Sequence, residues 1–77
     1  MIEFKDVMNR IRQILLLQRD KNRIFDKELA EALHLDPQYY AVIKKRNKVP
    51  YEAVAHFAKN HNINMNWILF EKTPQYI

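Results

Sequence analysis

Four cations lie within five consecutive positions of this chain, Lys44, Lys45, Arg46 and Lys48. The only acidic residue between Glu31 and Glu52 is Asp36, so little nearby negative charge balances them. Clustered Lys and Arg side chains bind phosphate groups without regard to base sequence. An alternative is that the cluster is only a solvated patch. We expect phosphate contacts from Lys27, Tyr39, Lys44, Arg46 and Lys48, with a packing role for Tyr39 left equally open.

Just before these cations, four side chains share one face of a helix, Gln38, Ala41, Val42 and Lys45. At 100° per residue, this face points away from Tyr40 and Ile43. Because two of its members are small, the face is nearly flat and can lie deep in a groove. Gln38 can bond to an adenine edge, Ala41 or Val42 can contact a thymine methyl group, and Lys45 can reach guanine or phosphate. A merely solvated face is the alternative, although it gives no reason for Val42.

Residues 26–46, DKELAEALHLDPQYYAVIKKR, predict the elements that position these side chains. Two short helices are joined by a tight turn at residues 34–36, which is typical of a helix-turn-helix. Asp26 and Asp36 are predicted N-caps, and Pro37 suits the first helical position because its missing N–H costs nothing there. The second helix of the pair is therefore predicted to enter the DNA major groove.

The apolar periodicity predicts helices throughout the chain, at about residues 4–19, 26–33, 37–46, 50–60 and 64–70, with an irregular tail at 71–77. We expect one all-α domain over residues 1–77. Tyr51, Val54, Ala55 and Ala58 are predicted to form the inner face of the fourth helix. The stripe of the first helix is Phe4, Val7, Met8, Ile11, Ile14 and Leu15.

Composition limits the possible functions. The chain has 77 residues, no cysteine and a formal charge of +4, which is compatible with nucleic acid. No apolar run approaches the length of a membrane span. Thr73 is the only aliphatic hydroxyl, and the histidines His34, His56 and His61 do not form two pairs with ligand spacing. We therefore predict no enzyme activity, no metal, no cofactor, no small-molecule ligand and no membrane association.

Four segments give the chain a resemblance to the helix-turn-helix domain of phage CI-type repressors. They are ELAEAL at 28–33, KKR at 44–46, VPYE at 49–52 and NWIL at 66–69. The resemblance implies a compact, five-helix, lambda-repressor-like domain that regulates transcription, usually as a dimer on a two-fold operator. The family's base-reading positions fall on Gln38, Ala41, Val42 and Lys45.

The chain departs from that pattern at the turn, where His34 replaces a glycine and must adopt a left-handed backbone. Aromatic bulk has also moved from position 43 to Tyr40, and Asn66 replaces an acidic residue.

We expect a repressor of bacterial or phage origin, cytoplasmic and associated with the nucleoid, that binds double-stranded DNA as a homodimer. The alternative is a protein-interaction adaptor that kept the fold without reading DNA. The expected dimer surface consists of Ile68, Phe70, Tyr76 and Ile77.

Overall fold

Five α-helices form the chain in the computed structural model, which describes residues 1–77. They are α1 (Phe4–Arg19), α2 (Asp26–Ala32), α3 (Pro37–Lys45), α4 (Tyr51–Asn60) and α5 (Met65–Phe70). The only pairing of the β type is one isolated antiparallel bridge between Ile63 and Tyr76. The predicted all-α, five-helix class is therefore confirmed. None of the helices has the length and apolar character needed to cross a bilayer.

One continuous core holds the helices together. Its eighteen buried residues are all apolar, and every helix contributes to it. The α1 stripe predicted from periodicity is the buried face of that helix, which packs against α2 and α5. Val7, Ile11 and Ile14 are fully buried, so truncating Ile11 or Ile14 to alanine would cost about 2–5 kcal/mol.

The inner face of α4 differs from the prediction. Val54 and Ala58 are buried as expected, but Phe57 joins them, whereas Ala55 and Tyr51 are exposed. The predictions for Tyr51 and Ala55 are wrong because α4 is turned toward the core by Phe57, three residues after Val54. With Tyr51 in the first turn, about half of its surface remains in solvent.

Three helices end in the same way without any glycine in the chain. The residue after each helix C-cap has a left-handed backbone, with φ of 56°, 53° and 56° at His34, Asn47 and Asn62 respectively. In each case the next amide donates to a carbonyl five residues earlier, which completes a Schellman motif. These bonds are Leu35 N to Ala30 O at 2.8 Å, Lys48 N to Ile43 O at 2.9 Å and Ile63 N to Ala58 O at 2.8 Å. The left-handed conformation predicted at His34 is confirmed.

The tail contains no helix, but it is tied to the loop before α5. Asn64 N donates to Gln75 O at 2.9 Å, and Ile77 N donates to Asn62 O at 2.9 Å. The Asn64 side-chain amide also donates to Pro74 O at 2.8 Å. These bonds hold residues 74–77 against the end of the helical bundle.

Candidate nucleic-acid interface

The start of α2 is built differently from the sequence prediction. Phe25 is the N-cap residue, and Asp26 is the first residue of the helix, so the predicted capping role of Asp26 is wrong. The Glu28 carboxylate instead accepts a long hydrogen bond from the Phe25 amide at 3.4 Å. The chain is still extended at Phe25. The Asp26 side chain therefore points toward Arg12 of α1 and Lys44 of α3, and it does not accept from the free amides in the first turn of α2.

The start of α3 agrees with the prediction. The Asp36 carboxylate accepts from the Gln38 amide at 2.7 Å and more weakly from the Tyr39 amide at 3.4 Å. Pro37 occupies the first turn, where no N–H is required. This capping fixes where α3 begins and therefore which of its side chains point outward.

The outer face of α3 is at the surface. Gln38, Ala41, Val42 and Lys45 are all exposed, and Val42 is 45% exposed despite being apolar. On the opposite side, Tyr40 and Ile43 are buried at 3% and 2% exposure. The Tyr40 ring packs edge-on against Phe4, with 5.4 Å between ring centroids. This contact anchors α3 to α1 and keeps the outer face turned toward solvent.

A surface groove of about 620 Å³ separates α2 from α3 on this side of the molecule. Three lysines and three small or apolar residues are among those that line it: Lys27, Lys44, Lys45, Ala30, Pro37 and Ala41. Ala30 is buried at 1% exposure where α2 and α3 meet, so a larger side chain here would push the two helices apart. The groove brings Lys27 close to the cations at the end of α3, although they lie far apart in sequence.

Asp26 is the centre of a charged cluster beside this groove. Its carboxylate accepts from Lys44 Nζ at 2.6 Å and from Arg12 Nη2 at 3.1 Å. The Tyr40 hydroxyl lies 3.5 Å from the same carboxylate. Burial, together with the charge of Asp26, raises the pKa of Tyr40 to about 12, so the phenol stays protonated. One predicted phosphate ligand, Lys44, is thus already paired with a carboxylate in the free protein.

The other predicted phosphate ligands carry unpaired charge or an exposed hydroxyl. Lys27, Arg46 and Lys48 are exposed and make no ion pair, and the same holds for Lys45 on the outer face of α3. Tyr39 is half exposed. Since no acid neutralises these four cations, their positive potential is directed into solvent beside α3.

Asn47 fixes the end of α3 against the start of α1. Its side-chain oxygen accepts from the Phe4 amide at 2.8 Å, and its amide nitrogen donates to the Glu3 carboxylate. The neighbouring cations Arg46 and Lys48 therefore flank a residue whose side chain is hydrogen-bonded to the start of α1.

Sequence reasoning did not single out two residues near the groove, Arg23 and Phe25. The Arg23 guanidinium lies over the Phe25 ring, 5.0 Å from its centroid, and Phe25 is 56% exposed. The available signal was a cation two residues before an aromatic residue, which itself comes two residues before the predicted basic position Lys27.

The predicted dimer surface needs one correction. Ile68 is fully buried, so the prediction that it offers exposed apolar area is wrong. It packs under α1, where Arg10 donates to the Ile68 carbonyl at 2.7 Å. Phe70, Tyr76 and Ile77 are exposed at 53%, 44% and 89%. The surface that remains for a partner copy consists of these three side chains.

The histidines are dispersed. His56 lies 3.9 Å from Glu52 on the surface of α4. His61 stacks on Phe57 with 4.2 Å between ring centroids, and burial together with the charge of Arg19 lowers the pKa of His61. No three potential ligands among histidine and carboxylate side chains come together as a metal site.

A capped helix with an exposed face, joined to α2 by a tight left-handed turn and flanked by unpaired cations, defines a helix-turn-helix domain of the DNA-binding class. The chain belongs to the bacteriophage CI repressor helix-turn-helix domain family, whose model matches residues 6–76. No significant match to a curated protein or to a solved structure was found. Membership of this family supports a DNA-binding regulator, and the family is a non-enzymatic class.

Proposed function

We propose that this protein is a sequence-specific regulator of transcription that binds double-stranded DNA through α3. The observation that carries the proposal is the exposed face of Gln38, Ala41, Val42 and Lys45 on a capped helix beside unpaired cations. An α-helix of this shape fits the B-DNA major groove, where each base pair presents a distinct pattern of donors and acceptors. The whole of residues 1–77 acts as one DNA-binding unit in this proposal.

Base contacts come from the outer face of α3. Gln38, in its first turn, has the amide donor and acceptor that match an adenine edge. Ala41 and Val42 lie one turn further along, where their methyl groups can meet a thymine methyl group. Lys45 follows another turn later and reaches guanine or a phosphate. The Val42 side chain has a function here, because it gains an apolar partner in the groove.

Phosphate contacts come from Lys27, Tyr39, Lys44, Arg46 and Lys48. Charge of this kind supplies affinity and register, whereas base contacts supply specificity. Lys44 must leave Asp26, or share it, before it can bind a phosphate at full strength. The pair is half exposed on both sides, so the cost of exchange is about 0–1 kcal/mol.

The proposed working form is a homodimer that represses transcription from a two-fold operator. One helix-turn-helix contacts too few bases for useful specificity, and two copies about one DNA turn apart extend the site. Phe70, Tyr76 and Ile77 provide apolar surface that a second copy would cover. Sedimentation of the wild type and of Phe70→Ser, with and without operator DNA, tests this surface. A wild type that stays monomeric at high concentration in both conditions rules out the dimer.

The decisive experiment compares two substitutions on selected and on random duplexes. Bound sequences are first selected from a random pool. Gln38→Ala is expected to reduce the difference in binding free energy between the selected and the random duplex by about 1–3 kcal/mol, because a bidentate base contact is lost. Arg46→Gln is expected to weaken both complexes about equally and to reduce the salt slope by about 0.9.

The second candidate is an adaptor that binds another protein through the same fold. The ion pair between Lys44 and Asp26 favours it, since this charge is already satisfied without DNA. Under this alternative, neither Gln38→Ala nor Arg46→Gln changes any complex with DNA.

For the regulator we further propose a bacterial or phage origin and a cytoplasmic location on the nucleoid.

A further inference from the structure

The link between α1 and α2 and the first turn of α2 each carry an exposed cation that no carboxylate neutralises. Arg23 and Lys27 make no ion pair. Their neighbours differ, because Lys21 and Arg19 both pair with Glu28, at 2.9 Å and 3.4 Å. The Lys21 hydrogen bond is the main cause that lowers the pKa of Glu28 and keeps it charged. Of the cations in this region, Arg23 and Lys27 are therefore the ones with charge available for an anionic ligand.

The Arg23 side chain also contacts an aromatic ring within the protein itself. Its guanidinium lies 5.0 Å from the centroid of the Phe25 ring, within the distance at which a cation is attracted to the face of an aromatic ring. A guanidinium that lies over a ring keeps its N–H donors in its own plane, free to bind two phosphate oxygens. Because the side chain is already restrained, less conformational entropy is lost on binding.

This surface is continuous with the groove beside α3. A second cavity of about 610 Å³ lies against the link, and Arg23 and Phe25 are among the residues that line it. Asp26 and Lys27 line both this cavity and the groove between α2 and α3. The charge of Asp26 is offset by Arg12 and Lys44, so the acid does not interrupt the cationic surface.

We propose that Arg23, stacked on Phe25, forms with Lys27 a contact to the DNA sugar-phosphate backbone that lengthens the phosphate-binding surface from the end of α3 to the α1–α2 link. The contact is to phosphate oxygens and is independent of base sequence. It rests on the proposed function, since it assumes that the groove beside α3 faces DNA.

The test uses two double variants with the same change in net charge. Arg23→Gln with Lys27→Gln removes the proposed contact. Lys59→Gln with Lys72→Gln removes two exposed, unpaired lysines from the end of α4 and from the tail. Affinity for a random duplex is measured over a range of salt concentrations. The first variant is expected to reduce the slope of log affinity against log salt by up to about 1.8, at about 0.9 per phosphate, and the second to change it little.

A third substitution tests the role of the ring. Phe25→Leu keeps apolar bulk and net charge but removes the aromatic face. It is expected to weaken DNA binding by at most about 2- to 5-fold, because Arg23 is no longer held in its binding orientation, and to have no effect when Arg23 is already glutamine. Equal weakening in both backgrounds contradicts the stacking.

The outcomes separate this inference from the function beneath it. If Arg46→Gln reduces the slope and the Arg23 and Lys27 double variant does not, the link contact and the phosphate role of Lys27 are refuted, while DNA binding through α3 stands. Equal slopes for the two double variants refute it as well, because net charge then explains the effect. If the wild type binds no duplex in a salt-dependent way, the proposed function and the link contact fail together.

Discussion

Replacing Asp26 by asparagine is expected to strengthen DNA binding while weakening the fold. The carboxylate holds Lys44 at 2.6 Å and Arg12 at 3.1 Å. Asparagine has nearly the same shape, but it no longer competes with DNA phosphates for the Lys44 ammonium. The substitution also removes one negative charge from the edge of the proposed interface.

The size of the effect follows from the exposure of the pair. The side chains of Lys44 and Asp26 are 56% and 42% exposed, so their attraction is screened and worth about 1 kcal/mol or less. Release of Lys44 is therefore expected to tighten binding to random duplex by no more than about 5-fold. The salt slope should become steeper by up to about 0.9, because Lys44 no longer shares its charge with Asp26 and neutralises its phosphate more completely.

Stability is expected to change in the opposite direction, and only modestly. Arg12 loses Asp26 but keeps the Ile24 carbonyl at 3.1 Å and the Asn9 side chain at 2.9 Å. Loss of the two exposed pairs should lower the free energy of unfolding by about 1 kcal/mol. Chemical denaturation measures this loss, and titration of fluorescent duplex at several salt concentrations measures binding.

The matched control is Asp20→Asn, which removes the same charge from an acid that makes no ion pair. A further comparison places Asp26→Asn in a Lys44→Gln background, where the gain in affinity should disappear. Equal gains from Asp20→Asn and Asp26→Asn would show that net charge alone is responsible. A gain that persists without Lys44 would refute the proposed competition between Asp26 and DNA.

Three further predictions concern the fold that supports the interface. Burial and the Asp26 charge raise the folded-state pKa of Tyr40 above its unfolded value, so the stabilisation from this group is present below pH 10 and is lost as the pH rises toward about 12. Denaturation across that range should show the free energy of unfolding of the wild type falling by about 2 kcal/mol relative to Tyr40→Phe. Parallel pH curves for the two proteins would contradict the burial of the phenol. His34→Gly should raise the free energy of unfolding by up to about 1 kcal/mol, because glycine adopts the left-handed φ of 56° without steric cost, and a loss of stability would show that the His34 side chain contributes contacts of its own. Asn47→Gly should lose the hydrogen bond to the Phe4 amide but tolerate the left-handed backbone. Asn47→Ala should lose the same bond and also strain the left-handed backbone, so its free energy of unfolding should be about 1 kcal/mol lower than that of Asn47→Gly. Thermal melts in which the alanine variant is more stable than the glycine variant would refute this account.

The sequence predicts the helices well because their signals are local. The three-and-four spacing of Phe4 to Leu15 identifies the buried side of α1, and the same rule places Tyr40 inside and Val42 outside on α3. The cap at Asp36 is likewise visible in sequence, because a carboxylate two residues before the Gln38 amide can reach it without help from another element. The buried face of the short helix α4 is harder to predict. Whether Tyr51 or Phe57 is buried depends on how the helix is rotated about its axis when it packs on the core.

The contacts of the charged residues could not be predicted in the same way. Asp26 is an equally good cap or ion-pair partner by residue type, and its actual role depends on the approach of Arg12 and Lys44 from two other helices. Ile68 has the hydropathy of an interface residue, yet it is covered because α1 packs across α5. Arg23 lies over the Phe25 ring and lines a cavity with Lys27 only when the link folds against α2.

The sequence by itself determines which segments are helical, which face of each is apolar and where positive charge accumulates, because these properties depend on neighbours within one or two turns. Only the tertiary structure decides which cations remain free, since ion pairing requires side chains from distant segments to meet within hydrogen-bonding distance. Lys44 and Lys45 illustrate the difference: they are adjacent in the chain, but packing of α2 against α3 gives one a carboxylate and leaves the other in solvent.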